Sequence, residues 1–517
     1  MLIIIPGLSN STKNPGFYGE TKHAAGAIST ASFPKSLLLV GNKTSGGSIT
    51  ADGTPQQVFG VAEADQIGGA RSELATMAYG LDGRGGALSV PGINVYLGCI
   101  AEASSSAAAA TATVTFAGVA SSTGTNQYWI CGYQVSYTIS SGTTAANAAS
   151  GLAAAINSVL TLPVTAAAGG SGGAVVTITA ANLGPRGNWF TLFQDTNNGP
   201  GTTTSTIAGG TSMPGGGVRF TGGAGADSPA NLITAISSTQ FDLIAIACGD
   251  ATVDAAHLAL WKTWLNTAAG ATVGILEHLF TASTDSLANA STLTKTTLNE
   301  FRAFLLRLGN GETPASVIAS TAAAEALQIL QSDPGAGTQF AGLALKGVAP
   351  QRVSADRSGG AVIETALGEG VTELVTAPDG TVRITRLITT HCLSGSYPDY
   401  RTLDAAETFV PDYCRESARQ LWLTSFQPNS PRVAPSTPVE LKQPPSGVTT
   451  PQAWADALTS LARQFELGEG LAYPILTNVD GNLPTAQWND AGKYIVSAWP
   501  TEVAYGNYIC GLSVRQV

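Results

Sequence analysis

The chain has 517 residues, of which 44% are apolar and only 12% charged, with 60 glycines and a formal net charge of −10. A length of this order holds about three or four domains of ordinary size. Phosphate binding needs clustered Lys and Arg, and the chain shows no such cluster, which excludes nucleic acid as a direct partner. A surface poor in charge and rich in Ala, Ser, Thr and Gly suits faces that become covered by other protein.

Six cysteines, Cys99, Cys131, Cys248, Cys392, Cys414 and Cys510, lack any repeated short spacing. They read as reduced, buried thiols, not as a metal site or a disulfide framework. The opening MLIIIPGLSNST has neither a basic n-region nor a cleavage site, and no run approaches the ~20 apolar residues of a spanning helix. Assembly in a cytoplasm without membrane insertion is expected.

In chain order, residues 1–25 place Pro6, Gly7, Pro15 and Gly16 between short apolar pieces and read as an extended arm. SLLLVG, from residue 36, is a short buried strand, followed by a helix over 63–78 and a strand over 93–97, the order of an α/β unit. Between residues 103 and 218 only Arg186 and Asp195 are charged, which marks an inserted β-rich domain. There Tyr133, Val135, Tyr137 and Ile139 alternate with polar residues, as do Ala112, Val114 and Phe116, and Val176 and Ile178. Thr144 suits the cap of a helix striped by Leu152, Ile156 and Val159. The glycine tracts 169–173 and 209–217 read as flexible connectors, so the insertion is expected on the outside of any assembly and dispensable to it.

Alternation then resumes. FDLIAIAC (241–248) and VGILEHLF (273–280) read as buried strands, Leu258, Trp261 and Leu265 as a helix face, and 314–332 and 360–368 as further helices: a parallel-sheet signature. Pro378-Asp379-Gly380 predicts a turn, and Val382, Ile384, Leu387 and Ile388 a strand ending near Thr390. A helix is expected to begin at Pro411, with Cys414, Ala418, Leu421 and Trp422 on one face. Six prolines between 428 and 445 make an extended linker. Thr450 and Pro451 then open a helix striped by Trp454, Leu458, Leu461 and Phe465, with Asp456, Arg463 and Glu466 opposite. Strands over 494–499 and 505–514 close the chain, the last with a free edge.

The candidate chemistry is thin. The Gly-x-Ser-x-Gly match at 169–173 sits in a glycine run instead of a strand–helix elbow. LVGNKTSGG (39–47) lacks both fixed glycines of a phosphate loop, and GGAGAD (222–227) lacks dinucleotide spacing. His23, His257, His278 and His391 are scattered without a ligand set. Asp250, after the 241–248 strand, reads as a helix cap.

The run VRITRLITTH followed by YRTLDAAETFVPDYCRESARQLW resembles the C-terminal signature of tail sheath proteins from contractile, Mu-like phages. There a strand ending in ITT leads to a Y-x-x-L-D segment and a helix. NPGFYGETKHAAGAIS resembles the family's first arm, and GKYIVSAWPTEVAYGNYICGLSVRQV its closing strands; residues 397–400 depart from the pattern.

The resemblance implies an α/β multidomain fold. Its parts would be an arm (1–25), an α/β domain with a parallel sheet (26–102 with 219–395), the inserted β-rich domain (103–218), an α+β C-terminal domain facing the tube (396–504) and a strand arm (505–517). It implies a structural subunit in six-membered rings stacked around an inner tube, which shortens to drive that tube through an envelope. No catalysis, cofactor or metal is then required. Partners would be the chain itself, a tail tube protein, and baseplate and terminator proteins, in a virion tail. Phe17, Tyr18, Tyr505, Ile509 and Val514 are the expected subunit-interface residues, and Asp456, Arg463 and Glu466 the expected tube-facing ones. A contractile injection system outside phages, a surface adhesin or an α/β hydrolase are the alternatives.

Overall fold

The computed structural model describes residues 35–82, 92–103, 106–195, 204–247, 253–335, 340–429, 432–435, 447–491 and 493–504. The chain forms two compact units, the larger chiefly Phe33–Asp412 and the smaller chiefly Tyr413–Gly470 with Leu476–Glu502.

The larger unit opens with β1 (Ser36–Asn42), β2 (Gln56–Val58), helices α1 (Val61–Gly68) and α2 (Glu73–Leu81), and β3 (Asn94–Ile100). The single helix expected over 63–78 is two helices. Gly69 and Arg71 hold φ +83° and +66° between them, left-handed values that end a right-handed helix, and Ser72 recaps the second through Ala75 N–H at 3.0 Å.

Nine strands and one helix come next: β4 (Thr111–Ala117), β5 (Gly124–Ile130), β6 (Tyr133–Ile139), α3 (Ala145–Ser158), β7 (Val164–Gly169), β8 (Val175–Ala180), β9 (Thr191–Asp195), β10 (Thr204–Ala208), β11 (Ser212–Met213) and β12 (Gly217–Arg219). They make a four-stranded sheet, β10-β4-β8-β7, and a five-stranded one, β11-β12-β9-β5-β6. Val114, Phe116, Tyr128, Ile130, Val176, Ile178 and Leu192 share one apolar core with Leu152 and Ile156 of α3. The glycine tracts are not connectors. Residues 169–173 turn β7 into β8, and 209–217 carry the tight β11–β12 hairpin, where Gly215 and Gly216 supply the φ values above +80° or at it.

The chain then returns through α4 (Ala230–Ile236), β13 (Leu243–Ile246), α5 (Ala255–Ala268), β14 (His278–Ser283), α6 (Leu287–Thr292), β15 (Ala303–Arg307), α7 (Ala315–Leu330), β16 (Ala344–Leu345), α8 (Gly360–Gly368), β17 (Thr372–Thr376) and β18 (Val382–Ile384). β14 begins five residues later than expected. Residues 273–277 bring the chain back from α5, with Gly274 N–H on the Gly270 carbonyl and Ile275 N–H on that of Ala268, before His278 enters the ladder.

One mixed sheet of nine strands results, in the order β16-β18-β17-β15-β14-β13-β1-β3-β2. The six strands from β17 to β3 run parallel, and short antiparallel strands close both edges. Both faces are covered, so β1 is apolar from Leu37 to Val40. Leu37 and Leu39 pack with Met77 of α2 and Ile318 of α7, and Leu38 and Val40 with Leu232 of α4 and Trp261 of α5. The α/β multidomain class read from the sequence is the class observed.

Beyond β18 come β19 (Leu393–Ser394), β20 (Tyr397–Pro398), α9 (Ala406–Leu421), β21 (Arg432–Val433), β22 (Val448–Thr449), α10 (Pro451–Leu467), β23 (Thr485–Asn489) and β24 (Tyr494–Ala498). Pro411 lies inside α9, not at its start. The true start is a reciprocal cap: Asp404 Oδ1 accepts from Ala406 N–H at 3.2 Å, and Glu407 Oε2 from Asp404 N–H at 3.1 Å. β18 also ends at Ile384, short of Thr390. In the smaller unit, α10 starts as expected, with Thr450 Oγ1 accepting from Ala453 N–H at 3.2 Å. It buries Trp454, Leu458, Leu461 and Phe465.

Candidate functional site

The two halves of the 381–426 segment are bonded to each other. After β18 the residues 387–390 run antiparallel to 402–405: Thr389 N–H meets the Leu403 carbonyl at 2.9 Å, Ala405 N–H that of Leu387 at 3.2 Å, and Ile388 bridges Asp404. Thr389 Oγ1 donates to the Thr402 carbonyl at 2.7 Å, and Thr390 Oγ1 to that of Glu300 at 3.1 Å. Arg386 grips Asp404 through Nη2 and Nε at 2.9 and 3.1 Å. Asp404 thus caps α9, holds Arg386 and pairs with the ITT run. Its position in the sequence follows from these three duties.

In an open α/β sheet, ligands bind beyond the carboxyl ends of the strands where the strand order reverses. Here the chain passes from β1 outward to β3 and returns to β13 on the other side, so that point lies between β1 and β13. Arg186, in a short 3-10 turn (Pro185–Trp189) after β8, reaches into it. Its Nη1 donates to Asn42 Oδ1 at 2.9 Å and lies 3.2 Å from Glu73 Oε2; Nη2 holds both oxygens of Asp227 at 2.7 and 2.9 Å. Asp254, ahead of α5, stands 3.7 Å from Nε, and His257 Nδ1 stands 3.2 Å from Asp227. Asn182, also after β8, accepts from Glu73 N–H at 2.8 Å and donates to the Lys43 carbonyl at 2.8 Å.

Burial pushes the Glu73 carboxyl up to about 7, against the pull of Arg186. Burial would raise Asp227 as well, but Arg186 and then His257 outweigh it and hold that carboxyl well below the usual range. Cavities of ≈20, ≈30 and ≈30 Å³ open around Arg186, each with room for about one or two waters. A guanidinium therefore occupies the place a ligand would take.

Three more arginines join the same two parts of the unit. Arg71 donates from Nη1 to the Val164 and Val159 carbonyls at 2.7 and 3.2 Å, beside the C-terminal end of α3, where a cation is favoured. Arg219 of β12 donates to the Thr284 carbonyl at 3.1 Å and lies 4.3 Å from the Trp189 ring centre. Arg352 binds Glu312 at 2.9 and 3.3 Å while facing the rings of Trp129 and Phe193 at 4.9 and 4.7 Å. The segment 103–218 is thus clamped to the large sheet, which its low charge did not suggest.

Of the residues singled out in the sequence, Phe17, Tyr18, Tyr505, Ile509 and Val514 lie outside the described residues, as do Asp250, Cys248 and Cys510. Cys99, Cys131, Cys392 and Cys414 are buried and form no disulfide. On α10, Arg463 pairs with exposed Asp480 at 2.8 Å, Glu466 accepts from Val479 N–H at 3.0 Å, and Asp456 accepts from Gln452 at 2.9 Å. Arg463 and Glu466 thereby fasten the 478–482 turn to the helix. Lys43, in the phosphate-loop-like stretch, donates to the Ile49 carbonyl at 2.6 Å and closes its own loop. Sequence reading missed Arg186 as a site residue; its one signal was that it is one of only two charges in 116 residues of chain (103–218). Among the described residues no group of three or more His, Cys, Asp or Glu side chains could hold a metal, and no helix is long and apolar enough to cross a membrane.

No family model and no curated protein matches the sequence. Among solved structures the chain is similar to the sheath tail protein of Desulfitobacterium hafniense, at 10% identity over 95% of this chain and 100% of that one, with a TM-score of 0.43. It is similar to the sheath tail protein of Listeria innocua at 11% identity over 93% and 94%, TM-score 0.45. It is also similar to the helical sheath of the anti-feeding prophage in its contracted state, at 10% over 98% and 100%, TM-score 0.47.

Proposed function

We propose that this chain is the sheath subunit of a contractile tail, polymerising as six-membered rings around an inner tube and shortening to drive that tube through an envelope. The observation that supports this most is the convergence of the sheath-like segments. The ITT run, the L-D pair and the helix behind them, on which the sequence resemblance rests, form one hydrogen-bonded corner through Asp404. The filled switch point supports a structural reading over a hydrolase, since Arg186 and three carboxylates stand where a substrate would enter.

On this reading the α/β part (26–102 with 219–395) and the clamped insertion (103–218) move as one rigid body, while the C-terminal part (396–504) faces the tube with Asp456, Arg463 and Glu466. The arms, with Phe17 and Tyr18 at one end and Tyr505, Ile509 and Val514 at the other, add strands to neighbouring subunits, so main-chain bonds persist while rigid bodies re-pack. The lattice then needs two packings separated by a free-energy drop and a barrier. Tube, baseplate and terminator proteins are its further partners, and the work requires neither cofactor nor turnover.

Electron microscopy of the purified chain, intact and lacking residues 1–20, tests this. The intact chain is expected to form helical tubes or stacked rings, and the truncated one folded subunits that do not polymerise. Discrete monomers from the intact chain would sink the sheath reading; normal tubes from the truncated one would sink only the role of the arms.

A further inference from the structure

Natural sheets end in edges that are short, charged or covered, because an open edge pairs with other chains. Most edges here follow that rule. β2, β11 and β16 have two or three residues. β7 is covered: the Asn157 amide donates to the Ala166 carbonyl at 2.7 Å and accepts from its N–H at 2.9 Å, as a neighbouring strand would, and Arg71 takes the Val164 carbonyl.

β6 differs. With seven residues it is the longest edge strand of the three large sheets, and its sequence YQVSYTI holds no charge, Pro or Gly. The two-residue turn of Cys131 and Gly132, at φ +52° and +73°, sets its register on β5 as Ile130 with Tyr133, Tyr128 with Val135 and Asn126 with Tyr137. In such a hairpin those pairs exchange the hydrogen bonds, so the N–H and C=O groups of Gln134, Ser136 and Thr138 point away from β5. These three residues are exposed, and among the described residues their outward main-chain groups meet no backbone partner. Val135 and Ile139 are buried in the core, with Tyr137 lying on Gly151 of α3, which fixes the strand's rotation and presents the edge rigidly.

We propose that β6 is a self-association edge, pairing antiparallel with β6 of a second copy about a two-fold axis at Ser136. That register sets Gln134 opposite Thr138 and Ser136 opposite Ser136, so all three outward residues of each strand exchange bonds at once. The charge distribution selects a second copy as the occupant. The chain carries −10, which repels like chains, but residues 103–218 hold one Arg and one Asp, and the Arg is held by carboxylates. Two copies therefore approach through this part without repulsion, and no like charges meet across the axis. A two-fold contact closes on itself, so it serves subunits outside a polar helical lattice, and it stands whether or not the sheath reading does.

Cysteine trapping in freshly purified, unpolymerised full-length protein tests the axis and the register. Ser136→Cys copies are expected to link into dimers on mild oxidation, beyond the level of the parent chain. Gln134→Cys or Thr138→Cys alone should stay unlinked, and a mixture of the two should link. Sedimentation should show pairing in the parent and its loss in Ser136→Lys, with the melting temperature of the variant unchanged. The proposal is overturned by folded Ser136→Cys protein that does not link, by Gln134→Cys linking with itself as well as with Thr138→Cys, or by an unchanged mass for Ser136→Lys.

Discussion

Replacing Arg186 by Met keeps the length of the side chain and removes its charge and donors, leaving Glu73, Asp227 and Asp254 facing one another without a cation. Removing one partner of a buried ion pair costs about 3–5 kcal/mol, because the other charge stays buried and uncompensated. The loss should depend on pH. The parent Glu73 carboxyl sits at about 7 against an ordinary 4.5, so it binds its proton more tightly in the folded state. Its contribution therefore favours folding at low pH and is given up as pH rises from about 4.5 to about 7, about 3 kcal/mol in all at ~1.4 kcal/mol per pH unit. Asp227 has the opposite sign. Held low by Arg186, it stabilises the fold above the ordinary carboxylate range and gives that up as pH falls below it. Without Arg186 both carboxyls move up, so the deficit of the variant should be largest near pH ~8 and shrink toward pH ~5, where protonation removes the uncompensated charge. Urea unfolding of both proteins at the two pH values, followed by tryptophan fluorescence, measures it. A deficit below ~1 kcal/mol that is equal at both would show that the guanidinium is not what joins the two parts.

Asp404→Ala removes the α9 cap together with the acceptor for Arg386, and should lower the urea midpoint by an amount equivalent to ~1–2 kcal/mol. An unchanged midpoint would mean the corner is held by main-chain bonds alone. Arg463→Glu breaks an exposed pair with Asp480 and should cost under ~1 kcal/mol of stability. If α10 faces the tube, the same change should alter assembly templated on tube protein; assembly at the parent rate would leave Arg463 as a clasp for the 478–482 turn.

What the sequence determined by itself were the elements whose cause is local. α10 was legible because Thr450, Pro451 and a stripe from Trp454 to Phe465 are all near neighbours along the chain, and β1 because an unbroken apolar run of strand length has no solvent face. Alternation in β4, β6 and β8 showed β structure, since side chains in a strand alternate faces whatever the partner. The start of α9 was also written locally, as Asp404 with Glu407 three residues on, but the proline at 411 gave the louder signal.

Tertiary structure alone decided the rest. Glu73, Arg186, Asp227 and Asp254 are separated by up to 181 residues, and no periodicity links them; only the return of the chain to β13 after nine strands brings their charges within 4 Å. Glycine in 209–217 signals permissive backbone, and that permission serves a tight hairpin as well as a free linker; the pairing of β12 with β9 chose the hairpin. The edge status of β6 is likewise invisible in YQVSYTI, because which strand lies outermost depends on how many partners the rest of the chain supplies. Local sequence specifies conformations one turn or one strand at a time, whereas charges far apart in the chain acquire partners only when the sheet order is complete.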